Sequence, residues 1–282
     1  MLGPNDLVLC AGTLRQASIA EKCAAAVAGG FAAVTLYPED VTRARAEGLA
    51  LPAVKRLLDD HGLVLADLDP LLSWLPDEPL PPGFPAATEA EFYEVAEAVG
   101  ARSLNVAQGF GNRVDLDQAA EALAGVCDRA AEHGLLITLE YLPWSGIPDA
   151  ATALAIVERT GRENATLMVD TWHSFRGPTD DAQLRAIPGA RVGSVQINDA
   201  PAEPAADLVT ETLNARLLPG AGAVPVVRWL RILDEIGSTS PIGVEVFSQE
   251  LDALPPVEVG RRCGEAARRV LVSARGDTPA QR

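Results

Sequence analysis

Long apolar runs are missing from the sequence: no window nears the roughly 20 apolar residues a membrane-spanning helix needs, so no membrane partner is expected. Cysteine is scarce. Cys10, Cys23, Cys127 and Cys263 are scattered without a CxxC pair, which argues against a disulfide framework or a zinc knuckle and fits buried thiols in a reducing compartment. Positive charge is also in short supply, with 23 Lys and Arg against 39 Asp and Glu and a formal charge of −16. A phosphate-backbone partner needs clustered Lys and Arg, so nucleic acid is excluded as a partner and the acidic surface reads as a solubility device. The opening residues, MLGPNDLVLC, have neither a basic n-region nor an apolar core, so no signal peptide is expected and the location reads as cytoplasmic. Histidine occurs only three times.

What the chain does have is regular alternation. Short apolar runs occur at 7–14 (LVLCAGTL), 31–38 (FAAVTLYP), 63–70 (LVLADLDP), 103–109 (SLNVAQG), 135–142 (LLITLEYL), 165–170 (ATLMVD), 191–199 (RVGSVQIND) and 241–248 (PIGVEVFS). Such runs mark strands buried on both faces of a parallel sheet. Helical patterns lie between them, clearest over 116–133 and 256–273. SIAE (18–21) and TEAE (88–91) are capping boxes, and Gly30, Gly100, Gly134 and Gly237 sit where left-handed helix ends are expected. Eight strands alternating with helices predict an α/β fold, a (β/α)8 TIM barrel forming a single domain over 1–273. No GxGxxG follows the first strand, so a dinucleotide-binding sheet lacks its fingerprint. A Pro-rich loop follows the third strand at 76–87, a long loop follows the seventh at 200–221, and 274–282 reads as a polar tail.

In such a barrel the chemistry sits at the C-terminal ends of the strands. Read in order, the last four ends carry Glu140 in ITLEYLP, Asp170 in MVDTWH, Gln196 in VQIND and Glu245 in VEVFSQ. Three carboxylates and an amide oxygen converging on half of the mouth would repel one another without a cation between them. Hard oxygen donors favour Mn²⁺, with Mg²⁺ and Co²⁺ as alternatives, over zinc. Taken alone, Asp170 reads equally well as the cap of a short helix over 171–174, and Gln196 as a hydrogen-bonding core residue.

These motifs, together with AAEHGLLITLEYLPW, VDTWHSFRG, VQINDAP, RLLPGAG and GVEVF, resemble the xylose-isomerase-like TIM barrels, the sugar phosphate isomerase/epimerase superfamily. The likeness runs over about residues 7–272. In that family a Glu, an Asp, a His and a Glu from strands five to eight hold one divalent metal. The resemblance therefore implies Glu140, Asp170, Gln196 and Glu245 as ligands, with glutamine standing where most members have histidine. It also implies Glu140 and Glu245 as the catalytic acid and base, and His173 of the Asp-x-x-His motif as a substrate contact. Related barrels often assemble as dimers or tetramers, which leaves room for a homo-oligomer.

Further pocket candidates come from the loops. Arg216 in RLLPGAG suits an anionic or polyhydroxylated substrate through bidentate hydrogen bonds, and a surface arginine pairing with Glu211 or Asp207 is the plainer alternative. Asp199 is expected to orient Arg216 or a ligand. Trp144, Trp172, Trp74 and Tyr37 fall just past strand ends, where rings can stack on a small polyhydroxy substrate. His61 and His133 read as helix-end residues favourable to the dipole.

The function expected from these residues is a metal-dependent isomerase or epimerase of a sugar or related polyhydroxy carbonyl compound. A lyase or dehydratase on the same site, resembling inosose dehydratase or eliminating a β leaving group, is the alternative. An abasic-site endonuclease needs a multi-zinc cluster and a basic face, which three histidines and a charge of −16 do not supply. A non-catalytic binding barrel is the remaining reading.

Overall fold

The computed structural model describes residues 2–76, 78, 80, 87–111 and 113–276. Each apolar run contains a strand: β1 (Leu7–Leu9), β2 (Ala33–Leu36), β3 (Val64–Leu71), β4 (Ser103–Ala107), β5 (Leu136–Glu140), β6 (Ala165–Asp170), β7 (Val192–Ile197) and β8 (Ile242–Val244). The strands pair in parallel in chain order, and β8 returns to β1 with Leu7 opposite Ile242 and Leu9 opposite Val244. The sheet is thus a closed (β/α)8 barrel, a single domain. Its strands are apolar on both faces because one side fills the barrel and the other meets the helices.

The first and last strands are shorter than their apolar runs. After Leu9 the chain turns into a 3₁₀ turn, Ala11–Leu14, and side-chain hydroxyls replace the ladder. Ala11 N donates to Thr35 Oγ1 (2.8 Å), and Thr13 Oγ1 donates to Val244 O (3.0 Å) while accepting from Val246 N (2.9 Å). This crossing of β1 and β8 tightens the barrel where the site begins.

The helices are α1 (Ile19–Gly29), α2 (Pro38–Ala46), α3 (Leu51–Asp60), α4 (Glu89–Val95), α5 (Leu116–Glu132), α6 (Ala150–Thr160), α7 (Thr171–Arg176), α8 (Asp181–Ala186), α9 (Leu208–Asn214), α10 (Val226–Glu235), α11 (Gln249–Asp252) and α12 (Pro256–Arg275). Both capping boxes form, Ser18 with Glu21 and Thr88 with Glu91. Asp115, Asp149, Asp170, Asp180 and Asp207 each accept from backbone N–H groups at a helix start, which satisfies donors that have no partner within the helix. His61 and His133 end α3 and α5. All four cysteines are buried free thiols. Helix α12 runs to Arg275, past the expected end at 273. The rest of the expected tail, 277–282, and most of the Pro-rich loop lie outside the described residues. No helix among the described residues is long and apolar enough to cross a membrane.

Helices α1 and α12 meet at unusually short range because small residues face each other. A Cβ on Gly260 would lie 2.1 Å from Ala25 O, and one on Gly264 would lie 2.0 Å from Gly29 O. Backbone oxygens cannot yield as a flexible side chain can. Gly264→Ala is expected to cost about 1–3 kcal/mol, seen as a lower urea midpoint with an unchanged slope. A midpoint equal to wild type would refute this packing.

Candidate active site

Asp69 of β3, Glu140 of β5 and Glu245 just beyond β8 line a cavity of about 200 Å³ at the C-terminal mouth, together with Tyr37, Thr212, His173 and Arg216. That is below the roughly 300–1,000 Å³ of drug-sized pockets and suits a small metabolite. A larger cleft of about 750 Å³ lies at the starts of α5 and α6, away from the strand ends, and its Asp115 and Asp149 are engaged in capping.

Arg216 is the centre of the acid cluster rather than a rim or surface residue, and only 2% of it is exposed. Its Nη1 donates to Asp170 Oδ2 (2.8 Å) and Glu245 Oε2 (3.3 Å). Nε and Nη2 donate to Thr212 Oγ1 (3.0 and 2.8 Å), and Nη2 lies 3.2 Å from His173 Nε2. Phe247 and Trp172 flank the guanidinium at 5.0 and 5.5 Å. The expected surface partners are engaged elsewhere: Glu211 pairs with Arg176 (2.7 Å), and Asp207 caps α9. Asp199 does not orient Arg216. It accepts from Ala200, Gly220 and Val224 N–H groups and so holds the loop after β7 in shape.

Gln196 also differs from its expected part. With its amide turned to satisfy the hydrogen bonds, Nε2 donates to Asp170 Oδ2 and Glu245 Oε2, both at 3.2 Å. Its nitrogen, not its oxygen, then faces the carboxylates. Gln196 and Arg216 donate to the same two oxygens, and Asn198 Nδ2 adds a bond to Asp170 Oδ2 (2.8 Å).

Asp170 caps a helix, one of the two parts expected of it, and its other oxygen is tied to Arg216 and Asn198. Its Oδ1 caps α7 by accepting from His173 N (2.9 Å), while Oδ2 faces the site. Burial works to raise its pKa, but the Arg216 charge, with His173 and Asn198, holds it below the ordinary value. His173 is buried, its Nε2 is 3.5 Å from Glu140 Oε1, and burial pushes its pKa down to about 3. The ring is therefore neutral, as a metal ligand must be.

A second acid sits beside Glu140. Asn105 Nδ2 donates to Asp69 Oδ1 (2.7 Å) and to Glu140 Oε2 (2.8 Å), and its own oxygen accepts from Thr138 Oγ1 (3.1 Å), which fixes the amide. Asp69 and Asn105 were not among the residues expected from the sequence. The signal was present in LADLDP, where two acids spaced by two share one face of an otherwise apolar strand. Asp67, deeper in the barrel, is taken up by Ser103, Ser194 and Arg102.

Tyr37 lines the cavity, with Oη 3.4 Å from Glu245 Oε1. Its backbone N–H donates to Asp40 (3.0 Å), which is held in turn by the buried Lys22 (2.5 Å). Trp144 lines the cavity and Trp172 does not. Trp172 is fully buried behind His173, edge-on at 5.3 Å, with Nε1 on Glu211 (3.2 Å). Trp74 is likewise a core residue, bonded to Ala107 O (3.0 Å).

Burial raises Glu140 well above the ordinary carboxylate range, reinforced by the charges of Asp69, Glu245 and Asp170. Burial also pushes Glu245 up to about 8 and Asp69 up to about 6. A carboxyl whose folded pKa is raised stabilises the fold below its unfolded value and loses that contribution as pH rises through the folded value. Chelator-treated protein is therefore expected to lose at least about 1 kcal/mol between pH 6 and 9, measured by urea unfolding. Stability that rose over that interval would refute the assignment.

Glu140, Asp170 and His173 can each offer a ligand atom, all within 4.8 Å of one another. His173 Nδ1 is a buried nitrogen without a hydrogen-bond partner among the described residues. Two carboxylates and a neutral imidazole in this arrangement fit a divalent metal ion.

The model of the xylose isomerase-like TIM barrels matches residues 23–265. The chain belongs to that family. This xylose isomerase-like barrel is 28% identical over 249 residues to a putative hydroxypyruvate isomerase of Streptomyces coelicolor, covering 80% of this chain and 84% of the relative. It is 29% identical over 137 residues to a 3-dehydroshikimate dehydratase of Pseudomonas aeruginosa, where the match covers 48% of this chain and only 22% of the relative. In fold it superposes on the IOLI protein, solved with a bound zinc atom, with a TM-score of 0.84 at 19% identity over 95% of this chain and 99% of the other. Relatives named as isomerase and dehydratase support an enzyme.

Proposed function

We propose that the protein is a divalent-metal-dependent isomerase or epimerase of a small polyhydroxy carbonyl compound. The observation that carries this is the pair Glu140 and Glu245. They stand at the ends of different strands, face one cavity, and are both buried so that a proton on either is stabilised near neutral pH. Glu140, Asp170 and His173 would hold the ion, with Mn²⁺ favoured among candidates that a nitrogen donor widens to Co²⁺ and Zn²⁺. A bound divalent ion would supply Lewis acidity, polarising a carbonyl and acidifying the adjacent C–H bond.

The protein groups then divide the proton work. One glutamate, as its carboxylate, takes the proton from the carbon beside the carbonyl. The other, as its acid, returns a proton to the opposite face of that carbon in epimerisation, or one is delivered to the old carbonyl carbon in isomerisation. Tyr37 holds Glu245 in place by its hydroxyl, and Asn105 does the same for Glu140.

A second reading, β-elimination of water, is favoured by Asp69. Its carboxyl, raised to about 6 and tied to Glu140 through Asn105, would protonate a departing hydroxyl. The similarity to a dehydratase points the same way. The test is proton NMR of the Mn²⁺-supplemented protein in D₂O with a panel of ketoses, hydroxypyruvate and inososes. Deuterium entry with a new isomer supports the first reading, and loss of water supports the second. No deuterium entry and no product from any compound would sink both.

A further inference from the structure

The cavity changes character with height. Its hydrogen-bonding groups, Tyr37, Asp69, Glu140, His173, Arg216 and Glu245, come from the strand ends or are tied to them. The walls above come from the loops: Leu72 after β3, Phe110 after β4, Leu142 after β5, Leu213 on α9 and Phe247 after β8. Few polar side-chain groups stand at wall level among the described residues, and the Thr212 hydroxyl proton is what they leave over. Trp144 Nε1 donates to Gly109 O (2.8 Å), so its ring offers only an apolar surface, and Thr212 Oγ1 accepts twice from Arg216. Phe110 and Leu213 remain 38% and 42% exposed at the mouth, although large apolar side chains normally gain by being covered.

A free hexose is a poor match for this layout. Its several tail hydroxyls would leave water for a wall that, among the described residues, offers little beyond the Thr212 hydroxyl, and a buried hydroxyl that loses its hydrogen bonds is strongly disfavoured. A molecule with a polar head and an apolar body matches both levels. We propose that the substrate is an α-hydroxy carbonyl compound whose hydroxy-carbonyl head reaches the carboxylates and whose body is an apolar chain or ring seated against Leu142, Phe110, Leu213 and Phe247. This deepens the proton-transfer reading above and rests on it.

The test compares three probes with one head in Mn²⁺-loaded protein: dihydroxyacetone, D-fructose and phenylethyl hydroxymethyl ketone. Exchange of the hydroxymethyl protons in D₂O is followed by NMR, and binding is followed by calorimetry. The expected result is a KM for the phenylethyl ketone at least tenfold below that of D-fructose, with Leu213→Ser narrowing the gap at least fivefold. D-fructose exchanging at an equal or lower KM would overturn the inference and leave the proton-transfer reading standing. Tight binding of the phenylethyl ketone without exchange would keep the inference and overturn that reading. Absence of both binding and exchange for this ketone would overturn the inference outright.

Discussion

In chelator, Arg216→Met is expected to lose about 3–5 kcal/mol of unfolding free energy, the range for removing one partner of a buried ion pair. The reason is charge balance. Asp170 and Glu245 are both buried, and Arg216 Nη1 contacts each of them, at 2.8 and 3.3 Å. Methionine fills similar space but takes the cation away, leaving the Gln196 amide shared by both carboxylates, Asn198 on Asp170 and the Tyr37 hydroxyl on Glu245. A divalent cation added to the variant should restore much of the loss, because anything that binds only the folded state stabilises it by mass action. The check is urea unfolding of wild type, Arg216→Met and Arg216→Lys, with and without Mn²⁺. Lysine keeps the charge but not the planar fork, so it belongs between the other two. A methionine variant as stable as wild type in chelator would show that Arg216 is not the counter-charge.

Glu140→Gln is expected to lower turnover by about 10²–10⁴-fold, the usual contribution of a positioned acid–base group. The substitution preserves shape, and the Asn105 amide can still donate to the glutamine oxygen, so unfolding should change little. That contrast separates Glu140 from Arg216: one variant spares stability and loses turnover, whereas the other loses stability. Steady-state kinetics on whichever compound shows exchange, beside a urea curve, reads the difference. A Glu140→Gln enzyme within tenfold of wild type would move the proton work to Asp69, which Asp69→Asn would then reveal.

The barrel was legible because each strand is an apolar run closed off by a helix signal, and burial on both faces leaves no other use for such a run. β6 matches its run residue for residue, whereas β1 and β8 stop short because Thr13 and Thr35 hydroxyls take over the hydrogen bonds. The acids at the strand ends were legible for the same topological reason. The orientation of a side chain was not. Gln196 was expected to offer its oxygen, but the two carboxylates beside it call for the nitrogen. Trp172 and Trp144 stand at similar distances past strand ends, yet the turn of α7 sends Trp172 into the core. Asp69 is harder to read because β3 has the composition of a strand buried on both faces, and only the two-residue spacing of Asp67 and Asp69 marks one face as different.

The pairing of Leu7 with Ile242 has a consequence for how the chain is made. The first strand emerges from the ribosome more than two hundred residues before its final neighbour. Throughout that interval one side of β1 lacks the partner strand that will cover it, while β2 to β7 add in sequence on the other side. Closure is a contact of very long sequence separation, the kind that slows folding and exposes strand edges meanwhile. Because α12 follows β8 in the chain and packs over α1, it acts as a latch on a ring that cannot close until β8 has been made.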